Sequence, residues 1–151
     1  MKAVVQRVSR ASVSVEGSVV GQIGLGLAAL VGVSDLDTEA DAISVADKLV
    51  GLRIFPDDEG KMNRSVVEAG GAVLVISQFT LLADVRKGRR PSFVRAAVPV
   101  VADPLVQRFA DTIAGHGVPV ANGEFGAHME VDLVNDGPVT IILETIDGRI
   151  Q

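Results

Sequence analysis

The sequence lacks cysteine, tryptophan and tyrosine, and it has only five phenylalanines and two histidines among 151 residues. The absence of cysteine excludes a disulfide framework, a thiolate zinc site and thiol catalysis. The scarcity of aromatic rings argues against base stacking as the main way of binding single-stranded nucleic acid. The two histidines, His116 and His128, are too few and too isolated for a typical histidine-rich metal site, so we expect no metal.

Long apolar runs are also missing, as is an excess of positive charge. No stretch approaches the ~18 uninterrupted apolar residues that cross a membrane. The opening segment Met1–Arg7 turns polar too early for a signal peptide, so we expect a cytoplasmic protein. The net charge of -5 and the pI near 4.9 disfavour a protein that coats nucleic acid without specificity.

Positive charge is nevertheless concentrated in one short segment. Four of its five consecutive residues are cationic, namely Arg86, Lys87, Arg89 and Arg90. Such a segment is either a solvated turn or a local contact for phosphate groups, and the sequence alone favours neither. We therefore keep these four residues as candidate contacts for a nucleic acid.

Apolar residues make up 48% of the chain, which is enough for the core of one domain over residues 1–151. Strand patterns occur in six places, at residues 2–15, 18–23, 27–33, 72–76, 128–134 and 139–144. A capping-box pattern at residues 38–41 and the pair Asp103-Pro104 each predict the start of a helix. The predicted order is ββ-βα-βα-ββ, a single α/β domain with a mixed or antiparallel sheet and two main helices.

The first candidate site is the polar end of a buried strand, formed by Ser77, Gln78, Phe79 and Thr80. A nucleophilic serine or threonine needs an activating base, but the chain has only two histidines and no Gly-x-Ser-x-Gly elbow. Backbone N–H groups at a strand end can instead stabilise an oxyanion, by ~3–4 kcal/mol per donor. The alternative is a polar strand end without function, with Phe79 in the core.

The second candidate site is the segment 135–138, Asn-Asp-Gly-Pro. Asp136-Gly137 is a strong signal for a hairpin turn, so the segment could be only a turn between two strands. Pro138 has no N–H group to give to a sheet, and it therefore belongs at an edge or a special bend. A plain turn and a functional segment both remain open.

Taken together and in order, several segments resemble the D-aminoacyl-tRNA deacylases. The two candidate sites match the two signature motifs of that family, at Ser77–Leu81 and at Gly137–Thr140. Further segments resemble other parts of the family's sequence, at residues 1–8, 52–55, 61–63, 88–93 and 125–129. The resemblance runs from end to end and shows no departure at the signature positions.

The resemblance implies an enzyme that hydrolyses the ester joining a D-amino acid to the 3′ end of a tRNA, with no metal or organic cofactor. It implies catalysis at residues 77–80. Main-chain groups near Phe79 and Thr80 would hold the oxyanion while the terminal ribose 2′-OH assists the attack of water. The alternative mechanism makes Thr80 the nucleophile.

The resemblance also implies a homodimer with active sites at the subunit interface. Gly137-Pro138 would be a cis dipeptide that enters the partner's site, where it rejects L-aminoacyl-tRNA, and Arg7 would hold it in orientation. Chirality is hard to read with a side-chain pocket, whereas a rigid backbone wall can clash with every L substituent. The same fold could also act on glycyl-tRNA.

Three other functions compete with this one. A glycyl- or L-selective deacylase would share the fold with a looser chiral filter. A non-catalytic dimer could bind nucleic acid through residues 86–90. A small hydrolase could act on free D-amino acid esters, and it would not need the basic segment.

Overall fold

A computed structural model describes the whole chain, Met1–Gln151. The strands are β1 (Lys2–Val15), β2 (Ser18–Ile23), β3 (Gly26–Gly32), β4 (Phe55–Pro56), β5 (Met62–Arg64), β6 (Ala72–Ser77), β7 (Val120–Asn122), β8 (Glu130–Ile146) and β9 (Arg149–Ile150). The helices are α1 (Glu39–Gly51) and α2 (Pro99–Gly115), and a single 3-10 helix covers Phe79–Leu82. The fold is therefore α/β with two helices, as predicted. No helix is long and apolar enough to cross a membrane.

One mixed sheet organises the molecule, in the order β7-β6-β3-β1-β8-β9, with β2 also paired to β1. β3, β6 and β7 run parallel to one another, whereas β1 is antiparallel to β2, β3 and β8. The parallel strands are continuous apolar runs because both of their faces are buried. The carboxyl ends of these three strands lie side by side at one end of the sheet, where β6 leads into the 3-10 helix.

Two apolar clusters cover the opposite faces of β3 and β6. The larger cluster packs these strands against α1 and α2, and it includes Val73 and Val75. The smaller cluster lies on the other face and includes Leu74, Ile76 and, from the second half of β1, Val13. The two halves of β1 thus contribute to different clusters, because the strand is irregular between Gln6 and Arg10. The sequence alone predicts a bend or bulge here, because the apolar residues of 2–15 fall on both parities, and the register shifts confirm it.

The two helices begin differently from each other. Thr38 and Asp41 form the predicted capping box at the start of α1. The start predicted for α2 at Asp103-Pro104 is wrong, because the helix begins at Pro99 and Pro104 lies inside it. The carbonyl left without a donor by Pro104 belongs to the exposed Val100 in the first turn, where water can reach it.

Asp136-Gly137 predicts a hairpin turn, but the structure has one continuous strand, β8, across this pair. Residues on both sides of that pair are bonded to the same neighbour, with Asn135 opposite Val8 and Thr140 opposite Gln6. The chain between them leaves the sheet and returns without reversing direction. The turn interpretation is therefore wrong, and the two strands predicted here are one. The short strands β4, β5, β7 and β9 are further additions to the predicted order.

Candidate functional site

A cleft of about 490 Å³ opens at the carboxyl edge of β3 and β6. Its floor is the end of these strands, and its walls are the first turns of α2 and the segment Phe125–Val131. Most of the lining is apolar, and the polar side chains within it are Ser77, Gln78 and His128. Concave, largely apolar sites with a few polar groups are the usual form of a small-ligand pocket.

The predicted residues Ser77, Gln78 and Phe79 line this cleft, at the point where β6 ends. Gln78 still belongs to the sheet through its N–H, which donates to the Val31 carbonyl at 2.7 Å. The chain then turns into the 3-10 helix, whose first bond is donated by the Leu81 N–H to the Gln78 carbonyl. The N–H groups of Phe79 and Thr80 precede that bond and have no acceptor in the helix. Two adjacent donors are thus available at the strand end.

A close approach of backbones fixes this turn. Gly32, at the end of β3, faces the Gln78 carbonyl, and a Cβ at this glycine would lie 2.9 Å from that oxygen. The same Cβ would lie 2.5 Å from the Leu82 side chain. Only glycine fits here, and its small size lets the 3-10 helix pack directly on the neighbouring strand.

Neither hydroxyl of this segment is hydrogen-bonded to a histidine or a carboxylate. The Thr80 hydroxyl accepts a hydrogen bond from the Gln78 amide, and Thr80 is exposed. His116 caps the end of α2 and contacts Asp47 of α1 at 2.7 Å. A hydroxyl nucleophile activated by histidine is not assembled by these contacts. No group of three or more histidine or acidic residues converges to hold a metal ion.

His128 lies just before β8, although the sequence predicts a strand that begins at this residue. Its side chain is exposed and lines the cleft. It is the only titratable residue in the lining, and it forms no hydrogen bond or ion pair within the chain. Nothing in its immediate sequence signals this position, because the cleft is built from segments far apart in the chain.

The second candidate segment is an excursion of β8, residues 136–139, which we call the protrusion. It stands opposite Arg7, whose side chain is buried although it is charged. The Arg7 guanidinium donates to the Asp136 carbonyl at 3.1 Å and to the Ile54 carbonyl at 2.5 Å. It also lies 3.4 Å from the Asp136 carboxylate. Arg7 therefore joins the base of the protrusion to the segment that leads into β4.

Gly137 and Pro138 are exposed at the tip of the protrusion, and the peptide bond between them is cis. Gly137 has a φ of 132°, a conformation that L side chains rarely adopt. A Cβ at this position would lie 2.8 Å from the Val139 side chain and 3.1 Å from the Arg7 guanidinium. Backbone conformation and space both require glycine here.

The protrusion does not line the cleft of its own chain. None of residues 136–139 is among the lining residues, which come from β3, β6, the 3-10 helix, α2 and the segments around them. The two candidate sites that the sequence singles out are thus separate features of one chain. Within one chain, therefore, the exposed protrusion does not enter the cleft, and the cleft contains no part of the protrusion.

The basic segment lies in a loop that directly follows the 3-10 helix. Asp84 and Ser92 close this loop through two backbone hydrogen bonds, and Phe93 beyond it packs edge-on against Phe79 at 5.0 Å between ring centres. Arg86 donates two side-chain hydrogen bonds to Asp84, which hold the pKa of that carboxyl well below its usual range and raise the pKa of Arg86.

The other three cations of this loop, Lys87, Arg89 and Arg90, are exposed and form no ion pair. One cation of the four is thus neutralised by a neighbour, and three face solvent in a loop whose far end leads to Phe93, the residue that packs against Phe79. Free cations on an acidic protein are suited to a local contact with phosphate.

Comparison with known proteins identifies relatives along nearly the whole chain. A family model described as D-Tyr-tRNA(Tyr) deacylase matches residues 4–144. A D-aminoacyl-tRNA deacylase of Symbiobacterium thermophilum is 60% identical over 145 residues, which cover 96% of each chain. A D-aminoacyl-tRNA deacylase of Thermomicrobium roseum is 58% identical over 149 residues, or 99% of this chain and 97% of that one.

Solved structures agree with the fold. A structure titled c-Myc DNA Unwinding Element Binding Protein superposes with a TM-score of 0.91 at 41% identity, over 97% of this chain and 99% of that chain. A probable eukaryotic D-amino acid tRNA deacylase superposes with a TM-score of 0.80 over 93% of this chain and 97% of that chain. Its sequence identity is 19%, so this second likeness bears on the fold alone.

Proposed function

The chain belongs to the D-Tyr-tRNA(Tyr) deacylase family, and from that premise we propose that it hydrolyses the ester of D-aminoacyl-tRNA and spares L-aminoacyl-tRNA. The products are a free D-amino acid and a tRNA that can be charged again. The observation that carries the proposal is the pair of free N–H groups at Phe79 and Thr80, at the edge of a largely apolar cleft.

These N–H groups supply the electrostatic part of the reaction. When water attacks the ester carbon, negative charge develops on the carbonyl oxygen, and backbone donors fixed in advance stabilise it by ~3–4 kcal/mol each. The 2′-OH of the terminal ribose, beside the scissile ester, assists the attacking water. Ser77 and Thr80 position groups in this mechanism and do not attack. Neither hydroxyl is hydrogen-bonded to a histidine, which supports this assignment over a Thr80 nucleophile.

The protrusion is the chiral filter of the proposed enzyme. All amino acids share the atoms around the Cα, so a backbone wall that contacts those atoms can reject an L substituent without reading the side chain. Gly137-Pro138 is suited to this task because it is exposed and has no side-chain functional group. Arg7 holds its base from the buried side. Glycine has no substituent at the Cα to clash, so we propose that glycyl-tRNA is also a substrate.

The filter acts in the cleft of a second subunit. Within one chain the protrusion lies outside the cleft, and a two-fold axis would bring each protrusion to the partner's cleft with two equivalent sites. β8 also exposes branched apolar side chains on both sides of the protrusion, with Val134 40% and Ile142 72% accessible. Exposed apolar residues next to a functional segment are typical of an interface. We propose a homodimer with its active sites at the subunit interface.

The basic loop contacts the tRNA. It follows the 3-10 helix directly, so its three free cations, Lys87, Arg89 and Arg90, lie near the proposed ester site. A tRNA bound by its 3′ end presents phosphates close to that point, and each neutralised phosphate adds salt-dependent affinity. Arg86 belongs to the same contact but is already paired with Asp84.

A second function, nucleic acid binding without hydrolysis, is favoured by one observation. The structure titled c-Myc DNA Unwinding Element Binding Protein carries a name that describes DNA binding, and it is 41% identical to this chain. A binding protein of this kind would use the basic loop and would be indifferent to changes at Gly137 and Pro138. The cleft and the free N–H groups would have no role in it, which is why we place it second.

The test is the rate of ester loss from matched D- and L-aminoacyl-tRNA that carry the same amino acid. We expect rapid loss of the D ester while the L ester decays at its uncatalysed rate. Hydrolysis of both esters would discard the chiral filter but keep the deacylase. Binding of both tRNAs without hydrolysis of either would support the binding protein. Glycyl-tRNA is measured in parallel.

A further inference from the structure

The protrusion has a second anchor that is independent of Arg7. The residues at its two ends, Asn135 and Thr140, are bonded to each other, since the Asn135 amide nitrogen donates to the Thr140 hydroxyl at 3.0 Å. The Asn135 amide oxygen accepts from the Val139 N–H at 3.1 Å. Gln6 of β1 donates to the same Thr140 hydroxyl at 3.2 Å. We call Gln6, Asn135 and Thr140 the latch.

The latch replaces hydrogen bonds that the sheet cannot make here. From Asn135 to Thr140 the strand β8 advances five residues, while its neighbour β1 advances only two, from Val8 to Gln6. The backbone groups of the protrusion therefore have no opposite strand, and side chains must satisfy them. Pro138 has no N–H to satisfy. The Asp136 carbonyl is satisfied by Arg7 and the Val139 N–H by Asn135, so the two anchors hold opposite ends.

The two anchors also differ in what they fix. Arg7 is buried and connects the protrusion to the segment before β4. Asn135 instead spans the base of the protrusion with one planar amide group, whose two atoms are bonded to Val139 and Thr140. A planar group bonded at both ends restrains the distance between the two arms of the loop and the angle at which its tip leaves the sheet.

We infer that Asn135 is a positioning residue that sets the direction of the Gly137-Pro138 tip through this latch. The inference rests on the proposed function and adds to it the residue on which the chiral selectivity depends. Asn135 does not touch the cleft, so its loss changes where the tip points and leaves the Phe79 and Thr80 donors untouched. We therefore expect the D/L ratio of kcat/KM to fall more than the rate of D-ester hydrolysis.

The experiment compares Asn135→Ala with Asn135→Asp and with Asn122→Ala. Asn122 is an exposed asparagine on β7 whose side chain makes no hydrogen bond, so it controls for the loss of an amide group. The aspartate keeps an oxygen for the Val139 N–H but cannot donate to Thr140. Two quantities are measured, the ratio of kcat/KM for D- and L-aminoacyl-tRNA and the hydrogen exchange rate of the Val139 amide.

We expect Asn135→Ala to lower the D/L ratio by about tenfold, the effect of one or two missing hydrogen bonds, and to speed exchange at Val139 by a similar factor. Asn135→Asp should lower the ratio less and keep Val139 protected. Asn122→Ala should change neither quantity. If Asn135→Ala does not fold, Thr140→Val removes the shared acceptor and tests the same latch.

An unchanged D/L ratio in a folded Asn135→Ala variant overturns the inference, even if exchange at Val139 becomes faster. A wild-type enzyme without selectivity would instead refute the proposed chiral filter. In that case Val139 exchange alone decides whether Asn135 holds the protrusion, since the exchange rate does not depend on any substrate.

Discussion

The Phe79 N–H is a single donor group whose role can be isolated from the side chain of its residue. Proline at this position removes the donor and fits the first position of a 3-10 helix. Gln78 before it lies outside the helical region (φ -145°, ψ 79°), which is the region that a following proline disfavours. We expect Phe79→Pro to lower kcat by about 10²–10³-fold, the usual effect of losing one oxyanion donor.

Phe79→Ala is the matched variant, because it removes the ring and keeps the N–H. It should retain far more activity than Phe79→Pro, and the unfolding midpoints of the two variants should be compared by circular dichroism. Equal kcat values in the two variants would contradict an oxyanion role for this N–H.

The Thr80 hydroxyl distinguishes the two chemical mechanisms. Thr80→Val keeps the branched shape and removes the oxygen to which Gln78 donates. We expect D-aminoacyl-tRNA hydrolysis to fall by no more than about fivefold, because the loss of one exposed hydrogen bond costs about 0.5–1 kcal/mol. Single-turnover rates measure the chemical step directly. Abolished turnover in a folded variant would establish Thr80 as the nucleophile.

At the scale of the element, the start of α1 depends on a buried carboxylate. Burial raises the pKa of Asp41, but hydrogen bonds from the N–H groups of Gly148 and Thr38 and from the Thr38 hydroxyl outweigh it, so the net pKa is lowered. A lowered pKa in the folded state stabilises the fold above the unfolded pKa, about 4 for aspartate, and this stabilisation is lost as the pH falls through the folded value.

We therefore expect Asp41→Asn to lower the free energy of unfolding by about 1–2 kcal/mol at pH 7. The difference from wild type should shrink below about pH 4, where the Asp41 carboxylate of the unfolded chain becomes protonated while that of the folded chain is still ionised. Urea unfolding at several pH values measures this. Asp103→Asn, on the exposed side of α2, is the control and should be nearly neutral. A difference that is constant down to pH 2 would contradict this account.

The basic loop is an element whose contribution can be read from its salt dependence. We expect the triple substitution of Lys87, Arg89 and Arg90 by glutamine to raise KM for aminoacyl-tRNA while kcat changes little. The slope of log KM against log salt concentration should become shallower by about 0.7–0.9 for each phosphate that the variant no longer neutralises. Arg149→Gln removes an exposed, unpaired arginine of β9 and should leave the slope unchanged. An unchanged slope in the triple variant would mean that the loop does not bind the tRNA.

Sequence reasoning succeeded where one short segment contains its own determinants. The capping box of α1 and the polar end of β6 each follow from a few adjacent residues. It failed at the protrusion, where Asp136-Gly137 is a local signal for a hairpin but both flanks pair with β1. Distant pairing overrode local preference there. The position of His128 in the cleft was missed for the same reason, because the cleft is built from segments remote in sequence.

At the scale of the whole molecule, the proposed site is shared between two chains, and this can be tested by mixing two defective variants. Gly137→Ala should spoil the filter, because an alanine Cβ would lie 2.8 Å from the Val139 side chain at a φ of 132°. Phe79→Pro should remove nearly all hydrolysis in the cleft of its own chain. In an equimolar mixture of the two variants, half of the Gly137→Ala clefts face the intact protrusion of a Phe79→Pro chain. The rate of L-aminoacyl-tRNA hydrolysis per Gly137→Ala chain should therefore fall to about half of the rate without the second variant.

The control is the double variant that carries Phe79→Pro and Gly137→Ala in one chain. Its addition to Gly137→Ala should leave the rate of L-aminoacyl-tRNA hydrolysis unchanged, because it supplies no intact protrusion. Native mass spectrometry shows whether the subunits have exchanged. If hydrolysis of the L ester is insensitive to mixing after exchange is complete, the filter acts within its own chain and the shared site is wrong.

The path of β8 limits how the protrusion can evolve. From Val134 to Thr140 the strand advances six residues while β1 advances four, from Arg10 to Gln6, so the surplus is two residues. An even surplus keeps apolar residues of β8 opposite apolar residues of β1 on both sides of the protrusion, with Leu133 opposite Ala11 and Leu143 opposite Ala3. A shift of the pairing by one residue would turn these side chains to the wrong face. A change in the length of the protrusion must therefore be absorbed inside the loop, where it would displace the Gly137-Pro138 tip, so a lineage could vary this stereochemical preference only by changes that leave the flanking register intact.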